Sequence, residues 1–189
     1  MSLDSPDADG TITMTLEAFA DTVIPGEKRS AKDWAIAGVS DGGGAVAAGA
    51  IALIREPAGG LADIVDHLAV ALNAHAETYA SNHGVTLDGT LPAFVALPFA
   101  DRTALVQALV APGHPERELW IPLLMFSNMA FDTGAHMHTT EAIAAGHPGL
   151  TSMRFELPEP DGLWRFPAFS YRRELATRHP QTTATGSPA

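Results

Sequence analysis

The sequence predicts an all-α protein: a compact helical bundle with a flexible N-terminal tail and an extended aromatic, proline-rich C-terminal arm. Three observations carry this. Apolar residues recur at helical spacing in several segments, glycine and proline clusters separate those segments, and 46% hydrophobic against 17% charged residues in a chain of 189 suffices for one contiguous core. The expected organisation is a disordered tail over 1–13, a helical domain over 14–150 and an extended arm over 151–189.

Residues 1–13 are polar and acidic, with Pro6 and Gly10 as breakers. Thr15 is a candidate cap for a first helix in which Leu16, Phe19, Ala20 and Val23 share one face, and Pro25-Gly26 ends it. After a charged loop and the cluster Gly42-Gly43-Gly44, the small apolar residues from Gly44 to Ile54 predict a second, closely packed helix. The segment Leu61 to Ser81 is the clearest amphipathic pattern, with Leu61, Ile64, Val65, Leu68, Leu72, His75, Ala76 and Tyr79 on one broad face and Asn82-His83-Gly84 as its stop.

An irregular connection broken by Gly89, Pro92 and Pro98 leads to a helix over Arg102 to Val110 capped by Asp101. Pro115 then opens a central helix from Glu116 to Asp132 that is apolar almost all round, with Pro122 early enough to cost only an irregularity and Gly134 near its end. A further helix over Ala135 to Ala145 stops at Gly146-His147-Pro148-Gly149. From Thr151 the composition changes to proline and aromatic residues, suited to an arm lying over a surface.

Charge and composition exclude several functions. A formal net charge of −11 with no basic run argues against nucleic acid and anionic membrane surfaces. The absence of cysteine removes disulfides, thiolate nucleophiles and cysteine-based metal sites. Apolar stretches fall short of the ~20 residues needed to span a bilayer, so no membrane insertion is expected. The acidic N-terminus lacks the character of a secretory signal. The expected location is cytoplasmic, or exported only with a signal-bearing partner.

No complete catalytic motif is present. The cluster Ser40-Asp41-Gly42-Gly43-Gly44 before a helix has the composition of a phosphate cradle but lacks a preceding strand, the GxGxxG spacing and a Walker lysine. Asp132 and His136 stand four apart, as ligands on one helical face would, and His138 is close by. His75 with Asp132 and His136 would make an alternative site, two imidazoles and a carboxylate, for metal or for general acid–base chemistry. Ser127 and Asn128 interrupt the apolar central helix as a polar pair that needs partners. Trp164, Arg165, Phe166, Phe169 and Tyr171 form a strip of the residue types that dominate protein interfaces.

The opening Leu16-Glu17-Ala18-Phe19-Ala20-Asp21-Thr22-Val23-Ile24-Pro25-Gly26, with Ala37-Gly38-Val39 after a charged loop, resembles the start of the gluconate 2-dehydrogenase subunit 3 family. Gly146-His147-Pro148-Gly149 resembles that family's late Gly-Tyr-Pro-Gly segment, so the likeness spans roughly Leu16 to Gly149. The family's Gly-Gly-Asn and Trp before that segment are replaced here by Gly134-Ala135-His136 and neighbours. The whole chain is also similar to an uncharacterised bacterial family sharing the Ala-Asp-Thr-x-x-Pro-Gly opening and a Leu-Trp-Arg-Phe-Pro tail.

The resemblance implies a small, non-catalytic helical subunit that stabilises or matures a large flavoprotein dehydrogenase of the glucose-methanol-choline class. On this expectation the chain binds no cofactor itself, and FAD resides in the partner. The alternatives are a stand-alone enzyme built on the His75, Asp132, His136 set, or a small-molecule binding domain beside Ser127 and Asn128.

Overall fold

Apolar periodicity becomes helix throughout the computed structural model, which describes residues 6–157 and residue 181. In chain order the elements are α1 (Pro6–Val23), α2 (Ala50–Ile54), α3 (Val65–His83), α4 (Ala93–Ala96), α5 (Phe99–Leu109), α6 (Arg117–Thr133), α7 (Thr139–Ala144) and α8 (Pro148–Ser152), with a 3-10 turn at Pro57–Gly59. No strand occurs among the described residues. The described residues up to Phe155 belong to one compact unit, and Glu156 opens a second.

Helix α1 is the hub and packs against α2, α3, α4, α5 and α6. Its sequence explains this: Ile12, Leu16, Ala18, Phe19 and Ala20 are buried around much of its circumference, and small alanines let neighbours approach. Phe19 meets Phe94 of α4 with ring centroids 6.4 Å apart, and Leu72 of α3 with Trp120 and Leu123 of α6 complete a dry centre.

Several boundaries differ from the sequence expectations. Helix α1 begins at Pro6, not after residue 13, and Thr15 is no cap: it lies buried in mid-helix, where its hydroxyl donates to the Thr11 carbonyl at 2.8 Å. Proline is tolerated in a first turn because the missing N–H has no acceptor there anyway. The expected helix from Gly44 to Ile54 shrinks to turns over 45–49 and the short α2. Gly49 breaks it with a φ of +86°, and a Cβ there would lie 2.2 Å from His136 Nε2, so the glycine gives up helical geometry and makes room for an imidazole.

The connection before α5 contains the one-turn α4, and α5 starts at Phe99 after Pro98 with no side-chain cap from Asp101. Asp101 instead accepts from Tyr79 Oη at 3.1 Å. Helices α3 and α6 follow their expected spans closely, each ending on a left-handed glycine, Gly84 and Gly134. The helix expected over Ala135 to Ala145 is confined to α7, and Gly146 to Gly149 passes directly into α8. No described helix is long and apolar enough to cross a membrane.

Candidate functional site

The two motifs that mark the sequence, Asp21 to Gly26 and Gly146 to Gly149, border one cleft. It has a volume of about 430 Å³ and is lined by Ile24, Pro25, Ser40 to Gly43, Phe131, Gly146, Pro148, Thr151 and Ser152. Asp21 builds its first wall. The buried carboxylate accepts from Gly26 N at 3.0 Å and from Ala37 N at 2.8 Å, tying the chain after α1 to a loop 16 residues away. Burial pushes this carboxyl above its ordinary value, against the pull of those two bonds and of the nearby Arg102 charge.

Glycines make the second wall possible. Glu27 N donates to the Gly42 carbonyl at 2.8 Å and Ala45 N to the Ile24 carbonyl at 3.0 Å, which presses two backbones together. A Cβ on Gly44 would sit 2.4 Å from Ile24 O and one on Gly26 2.5 Å from Gly44 N. The glycine cluster thus serves backbone contact. It leads into turns instead of a long helix, so the dipole that an anion cradle needs is lacking.

His147 sits between two cleft-lining residues, Gly146 and Pro148, and fixes them from behind. Its Nδ1 accepts from Leu150 N at 3.3 Å and caps α8, while Nε2 lies 3.1 Å from the Ala48 carbonyl. Accepting at Nδ1 assigns the proton to Nε2, which then donates to Ala48 O. Both nitrogens are therefore committed. Gly149 lets α8 lie directly on α6, since a Cβ there would come within 1.8 Å of Phe131 O.

Two arginines hold the surrounding loops. Buried Arg102 donates to the carbonyls of Leu97 at 3.0 Å, Ala35 at 2.8 Å and Trp34 at 3.3 Å, and also to Val95 O. Burial draws its guanidinium down from its usual value, which the Asp21 charge opposes. Arg29 bridges both oxygens of Glu17 at 2.6 Å each and Asp33 Oδ2 at 2.6 Å. These bonds raise the Arg29 pKa.

The residues of the alternative site are not brought together. His75 Nε2 pairs with Glu116 Oε2 at 2.6 Å, and its ring stands edge-on to Trp120 at 5.7 Å, all at the start of α6. Asp132 lies in the last turn of that helix, roughly 24 Å further along at 1.5 Å per residue, so His75 and Asp132 share no ion. His136 packs on Gly49, its ring 6.4 Å from that of His147, and burial together with His147 lowers its pKa. His138 is exposed ahead of α7. Among the described residues no three His, Cys, Asp or Glu side chains are grouped to hold a metal ion.

Ser127 is buried and donates to the Leu123 carbonyl at 2.9 Å, while Asn128 donates to the Asp132 carboxylate. Both stay within α6. The strip Trp164, Arg165, Phe166, Phe169 and Tyr171 lies outside the described residues. Sequence reasoning missed Asp21 and His147 as organisers of the cleft. The available signal was an acid four residues before a Pro-Gly stop, and a histidine immediately before the proline that opens a helix.

Neither the curated proteins nor the solved structures contain a match to this chain. The model of one family matches residues 10–189, from the first turns of α1 through both motifs of the cleft and on to the C-terminus. On that match the chain belongs to the family of unknown function DUF5987.

Proposed function

We propose that this chain is a non-catalytic accessory subunit that binds, and stabilises or matures, a larger flavin-dependent oxidoreductase of the glucose-methanol-choline class. The observation that carries the non-catalytic part is the use of the buried polar side chains. Thr15, Asp21, Thr22, Asp33, Arg102, Ser127 and His147 are buried, and each is hydrogen-bonded within the scaffold. A general base or nucleophile needs a free lone pair facing substrate. Here the Asp21, Asp33 and His147 acceptors hold loops and a helix end, and the Thr22 and Ser127 hydroxyls donate to carbonyls of their own helices.

The flavoprotein partner rests on the resemblance of the Leu16 to Gly26 opening and the Gly146 to Gly149 segment to the gluconate 2-dehydrogenase subunit 3 family. In this reading FAD belongs to the partner, and the small subunit supplies surface. The test is affinity purification of the tagged chain from its native host, with a visible absorbance spectrum of the eluate. Co-elution of a larger yellow protein in a fixed ratio is expected. A colourless chain eluting alone would sink the reading.

A further inference from the structure

We infer that the corner between α6 and α8 is released by acid: His136 seats on Gly49 only as the neutral imidazole, and proton uptake by its ring unseats residues 134–146. The inference needs no partner and stands apart from the accessory-subunit reading.

The corner is lightly held. Helix α7 packs against α8, with Ala142 as its buried residue and Thr139, Thr140, Glu141 and Ala144 exposed. Gly134 and Gly146 stand at its two approaches in left-handed turns, with φ of +58° and +72°. Two imidazoles fasten the corner to the turns over 45–49. His147 does so through its Nε2–H to the Ala48 carbonyl at 3.1 Å, and His136 through contact with the next residue, Gly49.

The seat of His136 excludes a charge. The Nε2–Cε1 edge of the ring lies against Gly49, where a Cβ would come within 2.2 Å of Nε2 and 2.5 Å of Cε1. Nδ1 is buried and has no hydrogen-bond partner among the described residues. In the neutral ring with its proton on Nε2, Nδ1 is a bare acceptor. The imidazolium would place an N–H there, a buried donor with nothing to receive it. The His147 ring lies 6.4 Å away. Burial and, after it, His147 lower the His136 pKa.

No acid on the surrounding elements offsets this. Segment 44–54 has no titratable side chain, and neither has α8. At the end of α6 the Asp132 carboxylate is bonded to the Asn128 amide, and His138 and Glu141 are exposed. Arg154, after α8, carries the same sign as an imidazolium. Among the described residues no ion pair includes His136.

A folded pKa below the ordinary imidazole value gives the seated form its full strength above that ordinary value, and the strength is lost as pH falls through the lowered one. With one proton taken up, each pH unit across that window multiplies the open population by up to about tenfold. Release moves Gly146, which lines the cleft, so acid alters one edge of the cleft while α1 to α6 stay folded.

The test is histidine-ring NMR and amide hydrogen exchange of the full chain from about pH 8 to about pH 5, the range in which imidazoles change charge. The His136 ring is expected to titrate below the histidines of the urea-unfolded chain. Protection at Met137, Ala142 and Ala145, whose N–H groups donate to the Gly134, His138 and Glu141 carbonyls, should fall by up to about tenfold per pH unit in the same window, with the α3 amides unchanged. His136→Gln has no proton to take up and should make this protection flat with pH. Gly49→Ala puts a methyl where the ring sits, so His136 should then titrate at the unfolded value, with the corner already open at about pH 8. A His136 ring titrating at or above the unfolded value, corner protection indifferent to pH, an unchanged pH response in His136→Gln, or α3 amides losing protection in step with the corner would each overturn the proposal.

Discussion

At the scale of single residues, the informative groups are those that hold polar atoms in the core. Arg102 donates to four backbone carbonyls on two sides, those of Trp34 and Ala35 in a loop and those of Val95 and Leu97 at the C-terminal end of the one-turn α4. Arg102→Met keeps much of the volume and strands the carbonyls. It should cost at least about 3 kcal/mol, since each orphaned buried acceptor costs about 1 to 3 kcal/mol. Urea unfolding measures this, and a loss below about 1 kcal/mol would mean that water replaces the guanidinium.

Asp21 and Asp33 make a prediction of opposite signs. Burial lifts the Asp21 carboxyl above its ordinary value, so the folded chain holds this proton more tightly than the unfolded chain does. The stability linked to Asp21 is then greatest below the ordinary value and declines as pH rises through the raised folded value. Burial also pushes Asp33 upward, but the Arg29 bonds outweigh it and leave that carboxyl below its ordinary value. Its contribution is complete above the ordinary value and is lost as pH falls through the lowered one. Carboxyl-carbon titration by NMR should show Asp21 protonating before Asp33 as acid is added. The reverse order would refute the assignment of Asp21 as the desolvated group.

At the scale of elements, glycines decide where helices stop and how closely they touch, and two of them separate these roles. Gly84 caps α3 with a φ of +69° and has nothing within 4 Å of a would-be Cβ. Gly149 carries no such backbone constraint, yet a Cβ there meets Phe131 O at 1.8 Å. Gly84→Ala should therefore cost about 1 kcal/mol for the left-handed conformation. Gly149→Ala should cost more, about 3 kcal/mol, and should release α8 from α6, raising hydrogen exchange at Leu150 and Thr151. Equal losses in the two variants would contradict the direct backbone contact of α8 on α6.

The elements also show what could be read in advance. Helices α3 and α6 were legible because long apolar stripes and terminal glycines are local signals. The break at Gly49 was not, because its cause is the His136 ring arriving from 87 positions later in the chain. The early start of α1 was obscured by acids and a proline that read equally well as a tail. The separation of His75 from Asp132 followed from α3 pairing with the beginning of α6, a tertiary fact that spacing alone does not contain.

At the scale of the whole molecule, the core among the described residues runs from Ile12 to Leu150, the Arg102 clamp lies within that range, and the cleft lining reaches only to Ser152. A chain ending after Leu157 should therefore fold by itself, with cooperative thermal unfolding and the helical circular dichroism of α1 to α8. A non-cooperative melt would show that the remaining residues complete the core. The same truncation tests the aromatic strip, because it removes Trp164, Arg165, Phe166, Phe169 and Tyr171. If that strip anchors the flavoprotein of the proposed function, the truncated chain folds and no longer co-elutes with it. If the helical unit is the anchor, a truncated chain with an intact melt retains the flavoprotein, because interface energy is concentrated in a few central residues and survives the loss of remote contacts.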